Sequence, residues 1–565
     1  MHHPPSTILA HVAQRARDTP ERIAWAFLDR RLCQTEFWTY CQTWEAVRCR
    51  AAAVAHLGVD PGDRVLITAA SRPEFITTLL AVQAIGAIPC PVGVHRLFQS
   101  LDGYLDGIRR IADQALPRIW IGPPAGGPGA ALNDPANGGP LPCPTATWKE
   151  AAEGGHPLPA QFRADPDPEA IALVQRSSGT TAHPHLVALS HGALQHNTLE
   201  LGRAVQAETE DRVLVWVPLY HDMGLVGGVL GPLSWGATSV IMDPMTYLAR
   251  PLNWVIAMSQ AGTTLTAAPT SAYLRVAREA SQDRTAAIDL RHLRGAVVGA
   301  EPVWPHALEL FEERFCPLGL RRGVLLPAYG LAENTLCVSL HPLGQPFAVH
   351  AFRRDPLLRQ GLVIPAGAEE TGGNDLIRLV ACGYPLRGVE LGIGPEAAAR
   401  GGEPSAGEIT VRGPSLMTGP MTSGQVQRAN EVQTGDIGFV YRGQVHLVGR
   451  TKDLIIREGT SILPAEIEEA VGRELGAEAH GIVAVSMVPE SATEEILVLV
   501  LELGREGSAG PGLFEERARN ALYRQLGVRP DQVVIRRRGW VPRTSSGKPQ
   551  RHRVREQLRA ESALS

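Results

Sequence analysis

Strand-like and helical stretches alternate along the first part of the chain, and this alternation constrains the fold most. Residues 44–58 have helical apolar spacing and end at a glycine, whereas 63–70 read as a buried strand. Residues 73–92 then read as a helix followed by a strand, and the pattern resumes between 170 and 330. Strands that alternate with helices are typical of a parallel sheet covered by helices, so we expect an α/β fold.

The domain organisation follows from length and from a second change of pattern. The chain has 565 residues, too many for one ordinary hydrophobic core. After residue 450, helix, strand, strand and helix patterns follow one another over about one hundred residues. We expect a large N-terminal α/β domain of several subdomains over 1–450 and a small, mobile α+β domain over 451–565. The Gly/Pro-rich segment 122–145 is expected to be an exposed connector.

Composition excludes several classes of protein. The net charge of −4 argues against general binding of nucleic acid, which usually needs a basic surface. There is no signal peptide pattern and no apolar run long enough to span a membrane. The eight cysteines contain no C-x-x-C pair, which favours reduced thiols over disulfides or zinc. We therefore expect a cytoplasmic protein.

A loop of small polar residues lies between two strand patterns. It consists of Ser177, Ser178, Gly179, Thr180 and Thr181. The backbone N–H groups and hydroxyls of such a loop can surround phosphate oxygens. It is not a Walker loop, because the G-x-x-x-x-G-K-[ST] pattern is absent and a strand pattern follows it. Taken alone, such a loop is more often a flexible polar turn than a phosphate site.

Further motifs follow strand patterns in a fixed order. They are YHDMG at 220–224, GAEP at 299–302, YGLAEN at 329–334, TGD at 434–436, GRTKD at 449–453 and SSGKPQR at 545–551. Each motif alone is weak evidence, and a His-Asp pair such as that in YHDMG is more often structural than catalytic. Their order and spacing together are specific.

In this order the motifs resemble those of the adenylate-forming superfamily, which contains acyl-CoA synthetases, peptide-synthetase adenylation domains and luciferases. The resemblance covers residues 6–560. It implies an enzyme that uses ATP and Mg²⁺ to activate a carboxylic acid as acyl-AMP, releases pyrophosphate, and passes the acyl group to a thiol. A carboxylate is already ionised at neutral pH, so this chemistry needs positioned cations and N–H donors rather than a general base.

The resemblance also implies a role for each motif residue. Residues 177–181 and His185 would hold the ATP phosphates; Gly299, Ala300, Glu301, Tyr329 and Gly330 would frame the adenine; Asp436 and Arg450 would bind the ribose. Glu333 would bind Mg²⁺, and Lys548 would reach the α-phosphate and the attacking carboxylate. With Glu333 and Lys548, His221 completes the catalytic candidates. Lys452 would be the hinge of the small domain.

Two segments resemble fatty acyl-AMP ligases in particular. They are WVPLYHDMGLVGG at 216–228 and AFRRDPLLRQG at 351–361. Segment 351–361 is similar to an insertion of those ligases that is associated with disfavouring CoA, although a lengthened surface loop is the alternative. This resemblance implies a fatty or fatty-like acid and an acyl carrier protein in trans, in a lipid, polyketide or hybrid peptide pathway. An acyl-CoA synthetase and an amino-acid or aryl-acid adenylating enzyme remain alternatives.

Two local features modify this expectation. His185 stands where the phosphate loop of the superfamily has lysine, so its charge depends on pH. Residues 536–559 contain eight arginines and Lys548 against one acid, Glu556. Such a patch could dock an acidic carrier helix, or it could be an ordinary solvated basic face.

Overall fold

The structure is a computed structural model that describes most of the chain. The described residues are 6–94, 101–122, 143–177, 185–280, 285, 287–367, 375–394, 404–450, 455–457, 460–487, 496–504, 511–543 and 549–563. Among them, no helix combines the length and apolar character needed to cross a membrane. The connector expected at 122–145 lies almost wholly outside these ranges.

A nine-stranded sheet carries the main core of the N-terminal part. In spatial order its strands are Tyr384–Pro385, Cys337–Leu340, Leu325–Gly330, Gly295–Gly299, Leu265–Pro269, Arg212–Val215, Thr238–Met242, Ile23–Leu28 and Gln34–Thr39. The run from Leu325–Gly330 to Ile23–Leu28 is parallel throughout, and the edge strands are antiparallel. Parallel strands are covered on both faces, so Thr238–Met242 is buried along its whole length. The expected α/β fold is confirmed.

Helices cover this sheet, and several of them begin at a residue whose side chain caps the first turn. The α-helices of the N-terminal part are Ile8–Asp18, Tyr40–His56, Pro73–Ala84, Leu101–Ala115, His191–Ala204, Gly231–Trp235, Pro244–Ala249, Leu252–Gln260, Thr270–Glu279, Pro305–Phe315 and Arg354–Gln360. The Thr39 hydroxyl accepts a hydrogen bond from the Gln42 backbone N–H, and the Gln42 side chain accepts one from Thr39. This capping box fixes the start of Tyr40–His56.

Smaller sheets surround the nine-stranded sheet. One is parallel, in the order Ile88–Val92, Arg64–Thr68, Ile119–Ile121 and Thr145–Ala146. Two are antiparallel, one formed by Gln425–Val426, Gly419–Thr422, Leu186–Ser190 and Ile171–Arg176, the other by Glu390–Ile393, Gly407–Arg412, Val432–Tyr441 and Gln444–Arg450. A hairpin pairs Val349–Arg353 with Leu376–Val380.

The C-terminal part has cores of its own. Its elements are the strands Ile455–Arg457, Thr460–Ile462, Ala479–Met487, Ile496–Leu503 and Gln532–Arg537 and the helices Pro464–Leu475, Pro511–Leu526 and Arg551–Ala563. Along Ile496–Leu503, Leu499 and Val500 face different clusters because successive strand residues point to opposite faces. The last strand and the last helix extend the predicted helix–strand–strand–helix order. The boundary at residue 450 stays a prediction.

Candidate active site

A large cleft opens at the carboxyl ends of the parallel strands, which is the usual ligand site of open α/β sheets. Its volume is about 2140 Å³, and it is lined by residues of both parts of the chain. Of the sequence-predicted site residues, it brings together Ser177, His185, His221, Gly299, Ala300, Glu301, Tyr329, Gly330, Glu333, Asp436 and Arg450. Ser178, Gly179, Thr180, Thr181, Lys452 and Lys548 lie outside the described residues.

Asp436 is held between two donors on one wall of the cleft. The Tyr329 hydroxyl donates to its Oδ2 at 2.9 Å, and Arg450 Nε donates to its Oδ1 at 2.9 Å. Tyr329 is the next-to-last residue of a buried strand rather than part of a turn. Burial and then Asp436 raise the pKa of Tyr329, so the phenol stays a donor. The carboxylate is therefore fixed in place with capacity left to accept bonds from ligand hydroxyls.

The backbone beside Tyr329 has no room for larger residues. A Cβ on Gly330 would lie 2.1 Å from the Leu336 carbonyl oxygen. Ala300, after the neighbouring strand, has φ 64°, a left-handed conformation that a residue with a side chain rarely adopts. Both positions let the main chain turn sharply at the strand ends, where a flat ligand would approach.

His185 closes the base of the phosphate loop and reaches the predicted metal ligand. The Ser177 backbone N–H donates to the His185 carbonyl oxygen at 2.9 Å. His185 Nε2 lies 3.0 Å from Glu333 Oε1. The hydrogen bond to Glu333 raises the pKa of His185, although partial burial opposes the shift. His185 thus faces the cleft.

The carboxylate of Glu301 is engaged by a helix rather than open to the cleft. The Ser271 backbone N–H donates to it at 2.8 Å, and the Ser271 hydroxyl donates at 3.1 Å. Ser271 is in the first turn of Thr270–Glu279, where a negative charge is favourable. The Glu301 side chain is therefore fixed to this helix at the wall of the cleft.

His221 is buried beside Asp222. Its Nδ1 lies 2.5 Å from Asp222 Oδ1, while its Nε2 is buried without a hydrogen-bond partner among the described residues. Both side chains line the cleft at the start of a π-helical stretch, Met223–Leu230, and such stretches are frequent at functional sites. Asp222 orients the ring and so fixes the direction in which the unpaired Nε2 points.

Two arginine–glutamate pairs fix the chain on either side of the segment that contains Lys548. Arg543 lies 3.2 Å from Glu502, and Arg551 lies 2.6 Å from Glu468. Burial raises the pKa of Glu468 although Arg551 lies beside it. Arg543 and Arg551 line the cleft, so both residues that flank this segment face the same space as Tyr329.

The segment that resembles a ligase insertion is packed against the C-terminal part. Arg354 donates to both oxygens of Glu466, at 2.9 and 2.6 Å. Phe352 and Leu357 share a buried cluster with Leu463, which directly precedes the helix Pro464–Leu475. The segment is therefore an ordered contact element rather than a loose surface loop.

A family model settles the identity of the chain. The model described as AMP-binding enzyme matches residues 12–419, more than half of the sequence. The chain belongs to the AMP-binding enzyme family. Its use of ATP follows from this membership and from the site geometry above.

Individual relatives show which members of the family this AMP-binding enzyme is similar to. It is 29% identical over 584 residues to the long-chain-fatty-acid–AMP ligase FadD26 of Mycobacterium marinum, covering 97% of this chain and 96% of the relative. It is 32% identical over 409 residues to JamA of Moorena producens, a medium-chain-fatty-acid–[acyl-carrier-protein] ligase, covering 69% and 68%. A solved structure from work on fatty acyl-adenylate ligases of E. coli and L. pneumophila is 26% identical, with TM-score 0.88 and coverage of 100% and 99%.

The basic patch of this AMP-binding enzyme is only partly available to a partner. Arg536 pairs with Glu561, and Arg555 donates to the Ser486 carbonyl oxygen, while Arg543 and Arg551 are engaged as above. The patch arginines with neither a carboxylate nor a carbonyl partner within the described ranges are Arg537, Arg538, Arg553 and Arg559. Sequence reasoning missed Arg354 and Glu466 as a pair, since 112 residues separate them.

Proposed function

We propose that this AMP-binding enzyme is a fatty acyl-AMP ligase that loads an acyl carrier protein. One observation carries the proposal: Asp436, held by Tyr329 and Arg450, faces the same cleft as the phosphate-loop base and as Arg543 and Arg551, which flank the Lys548 segment. The similarity to FadD26 and to the fatty acyl-adenylate ligase structure supports the acid as a fatty or fatty-like one.

The nucleotide is bound by groups that differ in charge along the cleft. Asp436 accepts hydrogen bonds from the ribose hydroxyls, Arg450 donates to the same sugar, and Tyr329 with residues 299–300 frames the adenine. The phosphate loop, Ser177 to Thr181, surrounds the phosphates, with His185 at its base. Among the described residues these groups converge on one space, as ATP binding requires.

Glu333 fits a magnesium ion that arrives with the nucleotide. No group of three or more side chains suited to a metal occurs in the described part of the chain. Mg²⁺ is commonly held by one or two carboxylates together with substrate phosphates, so a single carboxylate suffices. When bound, the ion would neutralise charge on the phosphates. His185 would then move from Glu333 towards the polyphosphate.

The adenylation step needs no proton transfer. A carboxylate oxygen of the acid attacks the α-phosphorus, the bond from that phosphorus to the bridging oxygen breaks, and pyrophosphate leaves with the electron pair. The barrier is the approach of two anions, which Lys548 lowers by placing a cation between the α-phosphate and the carboxylate. The pairs Arg543–Glu502 and Arg551–Glu468 fix the chain on either side of Lys548.

The acyl group then passes to a thiol of a carrier protein. The name of JamA, which includes an acyl carrier protein as acceptor, supports this assignment. The ordered segment 351–361, fixed to Glu466 through Arg354, supports it independently, because it limits how the C-terminal part rearranges between the two half-reactions. The boundary near 450 and the hinge at Lys452 belong to this proposal. So does a cytoplasmic location, which the eight free cysteines support.

A mass-spectrometric screen tests the proposal. The full chain is incubated with ATP, Mg²⁺ and a panel of fatty, aryl and amino acids, and acyl-AMP is scored. Fatty acids should give acyl-AMP, and Asp436→Asn should give much less. Acyl-AMP from amino acids alone would contradict the assignment.

A further inference from the structure

Three arginines on separate elements line the cleft beside the phosphate loop. Arg110 lies on the helix Leu101–Ala115, and Arg176 ends the strand Ile171–Arg176 directly before Ser177. Arg553 lies on the C-terminal helix Arg551–Ala563. The three arginines are far apart in the sequence, and the fold brings them to one cleft.

The charges of these arginines affect one another, and no carboxylate of the described residues compensates them. Desolvation by the cleft walls, then Arg110, then Arg553 lower the pKa of Arg176. The sequence neighbour Arg109 pairs with Asp106 at 3.1 Å. By contrast, none of Arg110, Arg176 and Arg553 has a carboxylate partner in the part of the chain that the structure describes. Neighbouring cations without a counter-charge repel one another unless an anion joins them.

We propose that Arg110, Arg176 and Arg553 form a second anion site that receives pyrophosphate as it leaves the phosphate loop. The proposal rests on the proposed function, since pyrophosphate is the leaving group of that reaction. Guanidinium groups match phosphate oxygens with paired hydrogen bonds, and several of them suit a polyanion better than one lysine does.

The position of the site fits a product that moves outward from the loop. Arg176 is adjacent in sequence to Ser177, the first loop residue, and both residues line the cleft. Arg553 is two residues beyond Arg551, which is fixed by Glu468. The site is therefore complete when the C-terminal helix is docked as in this structure, and a departure of that helix would remove one of its three cations.

Calorimetric titration with inorganic pyrophosphate tests the site without any acid substrate. The full chain is compared with Arg110→Gln, Arg176→Gln and Arg553→Gln at fixed Mg²⁺. Each variant should raise the dissociation constant about tenfold, the scale of one charge-assisted hydrogen bond. Arg559→Gln is the matched control, because Arg559 is exposed on the same helix and does not line the cleft. Its dissociation constant should equal that of the unmodified chain.

A further measurement separates binding from folding and from the main reaction. Arg176→Lys keeps a cation and should retain part of the affinity, and transfer from supplied acyl-AMP should not change in the control Arg559→Gln. Thermal unfolding of every variant identifies any that misfolds. If Arg176→Gln or Arg553→Gln misfolds, the affinity of Arg110→Gln tests the site, because residue 110 is exposed on its helix. Affinities equal to that of Arg559→Gln in all three variants would overturn the site. Absence of acyl-AMP with every acid would instead contradict the proposed function and leave the titration valid.

Discussion

Both terminal nitrogens of Arg354 donate hydrogen bonds to the Glu466 carboxylate. They join the helix Arg354–Gln360 to the helix Pro464–Leu475. The two side chains are only 9% and 15% exposed, so water replaces little of the interaction if either is lost. Glu466 also accepts from the Leu463 backbone N–H at 3.1 Å, which fixes the start of its helix. The pair is thus a buried connection between the insertion segment and the C-terminal part.

Removing the guanidinium should weaken this connection and change the choice of acceptor. Arg354→Gln should lower the free energy of unfolding by roughly 3 kcal/mol, because it leaves a largely buried carboxylate without its counter-charge. The ratio of acyl-CoA to acyl-carrier product should rise, measured with both acceptors present. Arg359→Gln, an exposed arginine of the same helix, should change neither. Lower stability with an unaltered product ratio would show that the pair has a structural role only.

ATP binding should depend more on the Asp436 carboxylate than on the Tyr329 hydroxyl that donates to it. Asp436→Asn should raise the KM for ATP roughly 10- to 100-fold, the scale of lost hydrogen bonds to a charged group. Tyr329→Phe keeps the ring and removes one donor, so its KM should rise less than about tenfold. Steady-state kinetics of acyl-AMP formation measure both. A larger effect of Tyr329→Phe would place the ribose elsewhere.

Lys548 should serve one half-reaction. Lys548→Ala should slow acyl-AMP formation by roughly 10²- to 10³-fold, as expected for loss of one positioned charge donor. Transfer from supplied acyl-AMP should change far less, because pyrophosphate has already left. Single-turnover measurements of each half-reaction check this. Equal losses in both would mean that the residue acts through folding or docking.

His446 should make the fold sensitive to acid. Its Nδ1–H donates to the Gln444 carbonyl oxygen at 3.1 Å, so its Nε2 accepts from His350 Nδ1, 2.9 Å away. Burial lowers the pKa of His446 to about 4. The unfolded chain binds this proton below about pH 6.5 and the folded chain does not, so stability is lost as pH falls through that window.

A variant isolates the contribution of this histidine. His446→Phe keeps a ring to stack on Phe439 but cannot titrate. Between pH 7 and 4.5, its free energy of unfolding should fall by roughly 2 kcal/mol less than that of the unmodified chain, measured with urea. His11 and His191, whose pKa values burial also lowers to about 4, titrate in both proteins and cancel. If the free energy of unfolding falls equally with pH in both proteins, the acid sensitivity belongs to other groups.

The sequence predicted the helices and strands better than it predicted the contacts between distant residues. The strand expected at 63–70 is Arg64–Thr68, and the cleft gathers the described motif residues because they follow strands whose ends share one edge. Contacts between distant residues had no local signal: Arg354 and Glu466 resemble ordinary helix charges, and nothing in the sequence pairs His185 with Glu333. The position of Arg176 directly before Ser177 is a local signal from which its place beside the phosphate loop could have been predicted.

Competition between acceptors tests the central claim most directly. With a fatty acid, ATP and Mg²⁺, equal amounts of CoA and a holo-acyl carrier protein are supplied together, and both acyl thioesters are followed by mass spectrometry. The apo-carrier, which lacks the phosphopantetheine thiol, is the control. The account predicts acyl-AMP and acyl-carrier with little acyl-CoA. Formation of acyl-CoA at a rate comparable to carrier loading would contradict it and identify an acyl-CoA synthetase.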